Sequence, residues 1–327
     1  MLIILEGPDC VGKSTLAENI CANFMISRQP YHMFRAGPPG DVHPLDAYVA
    51  PLLDFGPNDL IICDRWHFGE VVYPIVMERP TKMARWIFDY IELFLQSRGA
   101  LTVVMHESTE ELLRRYRERG DDYVSEAELA YSATVYRLNE HLLRTRHVSP
   151  ADIQLTATLR EQDVHHMRGS YTTWVGNALP DVLLMGDTRN CDGQTCKHKT
   201  RHHPAGPAFM PYPATSGEFL FRALNPLPAD VAVANACDVD PPLELWQDLG
   251  EPAIVALGKQ ASARLDENSI PHATVPHPQY VRRFHHGACA EYGRLIKDLI
   301  GTERNELQWR PSRLSTVKTS TATSYAT

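Results

Sequence analysis

Gly7-Pro8-Asp9-Cys10-Val11-Gly12-Lys13-Ser14 constrains this chain more than any other stretch. It fits the spacing G-x-x-x-x-G-K-[ST], a loop that curls its backbone N–H groups around phosphate oxygens. Its surroundings agree: Met1–Leu5 is an apolar run of strand length, and Thr15–Ile20 opens a helical pattern. The motif is diagnostic between a strand and a helix, because the helix N-terminus adds partial positive charge beneath the phosphates. Gly7 and Gly12 permit the curl, Lys13 reaches the outer phosphates, and Ser14, followed by Thr15, offers a hydroxyl to Mg²⁺. ATP with Mg²⁺ is the ligand this implies.

With 327 residues the chain is long enough for about two domains. No apolar run approaches the roughly 20 residues of a membrane span, so no membrane partner is expected. Met1–Leu5 lacks the basic flank of a signal peptide. The seven cysteines are odd in number and scattered, which reads as reduced thiols and a cytoplasmic location. A formal net charge of −8 supplies no global field to gather DNA, so any nucleic-acid contact must come from local basic patches. Nothing in the pattern sets the number of copies that assemble.

The first half alternates strand and helix signals. Strands are expected at Tyr31–Phe34, Leu60–Cys63, Leu101–Met105 and Ile153–Thr158. Helices are expected over Asp46–Leu53, Thr81–Ser97, Glu110–Arg119, Glu126–Leu143 and from the last strand to about Arg168. Such alternation implies a parallel sheet covered by helices. The pattern restarts after Gly169. Strands are expected at Asp181–Gly186, Val231–Asn235 and Ala253–Gly258, and helices at Ser216–Leu224 (Ser216 as N-cap), Leu243–Leu249, Lys259–Glu267 and Ala288–Ile300. The expected fold class is therefore α/β twice over: a P-loop domain over 1–168 and a second α/β domain over 169–310. Residues 311–327, rich in Ser and Thr, read as a disordered tail.

Two further features narrow the phosphate chemistry. Asp64-Arg65 closes the Leu60–Cys63 run, where a carboxylate can serve a metal shell and an arginine can bind phosphate. Arg114, Arg115, Arg117 and Arg119 crowd one helix, either as a solvated face or as a lid that closes on a triphosphate. No Walker B run of apolar residues followed by Asp-Glu is present, as nucleotide-hydrolysing motors require.

These residues resemble the thymidylate kinase family over about residues 1–168. Leu5–Thr15 is similar to its F-E-G-x-D-G-A-G-K-T-T opening, and Asp64-Arg65 with Tyr73 to its D-R-Y segment. The resemblance implies that Asp9 and Arg65 serve the acceptor, with Tyr73 nearby. It makes Lys13, Ser14 and the lid arginines, Arg115 and Arg119 foremost, ligands of the triphosphate. Arg35 stands where the family's R-E-P arginine meets the nucleotide phosphate, but Ala36-Gly37 follows it and the glutamate is gone. Pro74 replaces a glutamine that reads the thymine edge. A hydroxyl acceptor needs a carboxylate to take its proton, and Asp9 and Asp64 are both candidates.

The second half carries a different likeness. His277-Pro278-Gln279-Tyr280-Val281-Arg282-Arg283 resembles the H-P-S-x-x-R-R motif of uracil-DNA glycosylases. Val182–Asn190, Ser216–Leu220, Ala232–Ala236 and Ala253–Ala261 resemble further motifs of that superfamily in the same order. The resemblance makes His277 a donor to a pyrimidine carbonyl. It places Asp187 where one branch has its catalytic glutamate, with Asn190 in the same motif. Arg189-Asn190 replaces Pro-Gly, so base binding is expected and hydrolysis is left open. Such modules read bases turned out of the duplex. Cys191, Cys196, His198, His202 and His203 either hold zinc or belong to an ordinary basic loop with Lys197, Lys199 and Arg201.

Two functions follow from the resemblances. One is a kinase acting on 5-hydroxymethyluracil in phage DNA, located in the host cytoplasm. The other is a kinase for free dTMP or a related deoxynucleotide, fused to a glycosylase-like domain. The altered acceptor motifs and the base-reading half favour the first, and the acidic charge favours the second.

Overall fold

The computed structural model describes residues 1–26, 31–56, 59–120, 124–153, 174–177, 179–187, 208–228, 230–236, 242–285 and 287–308. Five parallel strands form the first sheet: β1 (Leu2–Glu6), β2 (Tyr31–Arg35), β3 (Leu60–Asp64), β4 (Leu101–Val104) and β5 (Arg146–His147). Their spatial order is β2-β3-β1-β4-β5. β1 and β3 are apolar runs buried at every residue, the signature of strands covered on both faces. β2 is largely exposed, as an edge strand can be. The chain leaves β1 and β4 in opposite directions, which opens a crevice beyond their carboxyl ends where ligands of open α/β sheets bind.

The helices of this half are α1 (Lys13–Ile26), α2 (Pro44–Tyr48), α3 (Gly69–Val76), α4 (Arg85–Ser97), α5 (Thr109–Arg119) and α6 (Glu126–Asn139). Three expectations are corrected. The helix expected over Asp46–Leu53 is α2 followed by a separate 3-10 turn at Ala50–Leu52, whose second residue is Pro51. α4 starts at Arg85 rather than Thr81, because Thr81 Oγ1 accepts the Met83 N–H at 3.0 Å and turns the chain first. The fifth strand is Arg146–His147, whereas Ile153 ends a helical turn buried under the sheet. The rest of the Ile153–Thr158 expectation, the helix to Arg168, the boundary at 168/169 and the tail lie outside the described residues.

The second sheet has four parallel strands, β6 (Val182–Gly186), β7 (Val231–Asn235), β8 (Ala253–Leu257) and β9 (Ala273–Val275), in the order β7-β6-β8-β9. Around it lie α7 (Ser216–Ala223), α8 (Pro242–Asp248), α9 (Lys259–Glu267), α10 (Pro278–Phe284) and α11 (Cys289–Gln308). Thr215, not Ser216, caps α7: its side chain accepts the Glu218 N–H at 3.1 Å. A capping side chain accepts an N–H two or three residues on, and Thr215 has that spacing to Glu218. No described helix is long and apolar enough to cross a membrane.

The two halves share one apolar core. α4 is buried at every position from Ile87 to Leu95, a helix with no solvent face. Tyr90 meets Phe221 of α7 edge-to-face with ring centroids 5.0 Å apart. Arg144 crosses the junction and donates to the Leu227 carbonyl at 2.8 Å. Behind α7, Gly293 of α11 lies so close that a Cβ there would overlap the Ala223 carbonyl. Gly293→Ala should therefore force α11 off α7 and cost about 1–3 kcal/mol of stability, read as a lower urea midpoint.

Candidate active site

The loop after β1 reaches its curl through two glycines in the left-handed range, Gly7 at φ 140° and Gly12 at φ 103°. A Cβ on Gly7 would sit 2.6 Å from the Met105 carbonyl, so the residue directly after β4 excludes a side chain there. Cys10 also has positive φ, at 62°, in the position where the resembled family carries glycine. A non-glycine residue held there costs about 1–2 kcal/mol.

Lys13 begins α1 and folds back over the loop, donating to the carbonyls of Gly7 at 2.8 Å and Pro8 at 2.6 Å. Burial lowers its pKa to about 8, against the opposing pull of the Asp64 and Glu6 carboxylates. Parallel register sets Leu5 beside Asp64, and Asp64 beside Arg35, so the ends of β1, β3 and β2 line up. There the Ser14 hydroxyl donates to Asp64 Oδ2 at 2.6 Å, and Arg35 Nε approaches the same oxygen to 3.8 Å. A hydroxyl and a carboxylate held together are hard oxygen donors of the kind Mg²⁺ takes.

On the other side of the loop, Asp9 pairs with Arg65 and accepts the Tyr73 hydroxyl at 3.0 Å. The Arg65 guanidinium stands 5.5 Å from the Tyr73 ring centroid. The arginine helix α5 divides its charges. Arg114 pairs with Glu111 and Glu118, and Arg117 with Glu126, all on the outside. Arg115 pairs with Glu107 and Glu111 and also reaches the loop, with Nη1 3.3 Å from the Cys10 carbonyl. Arg115 and Arg119 line a cavity of about 910 Å³ together with Lys13, Ser14, Thr15 and Asp64.

Glu6 belongs to this site although no motif weight falls on it. Its carboxylate is 0% exposed. Oε1 accepts the N–H groups of Trp66 at 2.9 Å and Phe68 at 3.2 Å, and Oε2 accepts the Tyr136 hydroxyl at 3.3 Å. Burial raises its pKa, with His67, the Trp66 N–H and Lys13 pulling the other way. The signal that finds it is a carboxylate closing an otherwise wholly apolar strand.

A second set of groups gathers at the carboxyl ends of the second sheet. Asp187 follows β6 and accepts the Ala261 N–H at 2.8 Å. Gly258 after β8 has φ 113°, and a Cβ on it would stand 3.0 Å from the His277 Cβ and 3.4 Å from Asp187 Oδ1. His277 caps α10, with Nδ1 accepting the Gln279 N–H at 3.2 Å, so in the neutral ring Nε2 carries the proton. Burial lowers the His277 pKa, partly offset by Asp187, which favours that neutral form. The Phe209 ring lies 6.2 Å from His277. It covers Gly186, and the buried Asn235 amide lies on the same glycine. Phe209 lies in no matched motif, and Asn235 lies within the Ala232–Ala236 match but is given no role there. Asn190 and the Cys191–His203 loop lie outside the described residues, and no cluster of metal-ligating side chains occurs among the described ones.

No family model matches the chain. Over 139 residues, 42% of this chain and 79% of the relative, it is 27% identical to the SPβ prophage-derived uncharacterized protein YorR of Bacillus subtilis (strain 168). The crystal structure of YorR in complex with phosphorylated GDP aligns with 50% of this chain and 100% of its own, at TM-score 0.42 and 23% identity. The structure of deoxyadenosine kinase from M. mycoides, with the products dCMP and a flexible dCDP, aligns with 49% of this chain and 96% of its own, at TM-score 0.29 and 15% identity. The first half is a P-loop α/β unit with a five-stranded parallel sheet.

Filling the loop with phosphate should return Lys13 to its charged form. At pH 8 about half of the free protein carries a neutral Lys13, so ATP binding there should take up about half a proton. Calorimetry in two buffers of different ionisation enthalpy measures this. Uptake should vanish at pH 6, where Lys13 is already charged, and in Lys13→Met.

Proposed function

We propose that this protein transfers the γ-phosphoryl group of ATP to a pyrimidine-borne hydroxyl, that of 5-hydroxymethyluracil in DNA. The donor half of the reading rests on the Ser14–Asp64 hydrogen bond beside Lys13 and the inward-facing Arg115 and Arg119. Backbone N–H groups of the loop and Lys13 hold the outer phosphates, and Arg115 and Arg119 oppose the charge that spreads over the transferring group. Ser14 and Asp64 would hold Mg²⁺, which neutralises phosphate charge when bound.

The acceptor half follows from the split between the two aspartates. Asp64 is taken up with Ser14 on the metal side, and Asp9 stands on the other side with Arg65 and Tyr73. Asp9 is thus the carboxylate assigned to take the acceptor's proton, and Arg65 turns from Asp9 to the incoming phosphoryl group. The acceptor oxygen loses its proton to Asp9 and bonds to the γ-phosphorus. The bond from that phosphorus to the β–γ bridging oxygen breaks, and ADP departs.

The choice of DNA rests on the second set of groups. Nε2–H of His277, the Asn235 amide and the Phe209 ring are the parts needed to hold one planar pyrimidine by its edge and face. Arg35 and His277 would serve the substrate from the two halves. The net charge of −8 favours the second reading, a kinase for free dTMP or another deoxynucleoside monophosphate.

Incubation with γ-labelled ATP and either duplex DNA carrying 5-hydroxymethyluracil or free dTMP separates the readings. Label is expected in the DNA, and label confined to the mononucleotide would overturn the DNA acceptor while leaving the kinase. Lys13→Met should lower transfer by about a thousandfold with either acceptor. His277→Ala should weaken the DNA reaction and leave basal ATP hydrolysis unchanged, whereas loss of both would make His277 structural.

A further inference from the structure

Residues Ala208–Thr215 belong to both halves at once. From the first half, the Tyr90 hydroxyl of α4 donates to the Ala208 carbonyl at 2.6 Å, and both residues are fully buried. Next in the chain, Phe209 holds φ 52° and presents its ring to His277 and Gly186. Three residues on, the buried Tyr212 donates to Asp46 Oδ1 of α2 at 2.5 Å, and its ring lies 4.8 Å from that of His43. Thr215 then closes the segment by donating to the Tyr212 carbonyl at 2.7 Å. A bulky residue at positive φ persists only where its surroundings over-determine it. Here the first half holds the residue before Phe209 and the residue three after it.

From α2 the contacts continue to the Asp9–Arg65 side of the P-loop. The Trp66 indole N–H donates to the Tyr48 carbonyl at 3.1 Å, and the two rings meet edge-on at 5.4 Å. Trp66 directly follows Arg65, and its own N–H is held by Glu6. A continuous run of packed and hydrogen-bonded groups thus leads from Arg65 through Trp66, Tyr48, Asp46 and Tyr212 to Phe209 and His277.

We propose that Asp46, Tyr212 and Tyr90 are positioning residues that set the Phe209 wall of the His277 site from the first half, so that the two sites hold one acceptor in a fixed register. None of the three lines the triphosphate cavity. The ligand spanning them is a pyrimidine nucleotide within a strand, and for that identity alone the inference rests on the function proposed above. The placement of Phe209 does not depend on it.

Tyr212→Phe and Asp46→Leu each remove this one hydrogen bond, from opposite ends and at nearly constant shape, and Tyr90→Phe removes the other anchor. The first readout needs no ligand. The His277 ring resonances, assigned by their loss in His277→Gln, should shift in the two Tyr212–Asp46 variants as Phe209 moves. The second is kinetic: KM for DNA carrying 5-hydroxymethyluracil should rise about threefold to tenfold, the worth of one hydrogen bond, with KM for ATP unchanged. If Tyr90→Phe fails to fold, the Tyr212–Asp46 pair decides. His277 resonances at wild-type positions in both folded variants would overturn the inference. A wild-type protein that leaves such DNA unlabelled sinks the proposed acceptor instead, and the resonances still test the positioning.

Discussion

Glu6 is a carboxylate sealed at the end of the central strand of the first sheet, and the geometry on both sides of the P-loop depends on where it points. Its two oxygens accept from the Trp66 and Phe68 backbone and from Tyr136 of α6. An acceptor in so dry a place leaves buried donors unpaired if removed, which costs more than the bonds are worth when made. The segment it ties begins with Arg65, itself at φ 64°. The loop that cradles phosphate and the loop that carries Arg65 are thus anchored to one strand end, and their separation is set by a short, buried network.

The same economy of charge runs through α5. A helix with this many arginines would repel itself, and the structure resolves this by pairing Arg114, Arg115 and Arg117 with glutamates. Arg115 and Arg119 are left facing the cavity, one helical turn apart on the face that α5 turns to the loop. A cavity-facing pair and a solvated face are therefore both present on one helix, divided by its period.

The two α/β halves are joined by more than a tether. α4 gives one face to the first sheet and another to α7, and its buried Asp89 and Glu92 meet Arg144, the Thr145 N–H and His67 within the core. Carboxylates sealed in an apolar junction are tolerated only with partners, and those partners come from β3's loop and the chain before β5. The junction therefore has a specific geometry, and the segment that carries Phe209 is held across it by Tyr90 and Asp46.

The P-loop, the alternation of strands and helices, the Asp64-Arg65 strand end and the His277 motif were all legible in the amino-acid order. Each is a local pattern: glycines at fixed spacing, apolar runs bounded by polar breaks, a capping histidine before proline. The fifth strand as a whole, the N-cap of α7 and the start of α4 were misplaced; at helix ends, side-chain bonds such as that accepted by Thr81 from the Met83 N–H decide what periodicity leaves level. What only tertiary structure decided is which groups meet. Asp64 rather than Asp9 received Ser14, because parallel pairing aligns the ends of β1 and β3. Glu6 and Asn235, though inside matched motifs, and Phe209, outside them, meet their partners through contacts spanning tens of residues that a linear pattern does not specify. Sequence determined the phosphate cradle, since a backbone curl needs only local chemistry. The groups proposed for the acceptor were left to packing, since they come from two sheets and only long-range contacts place them.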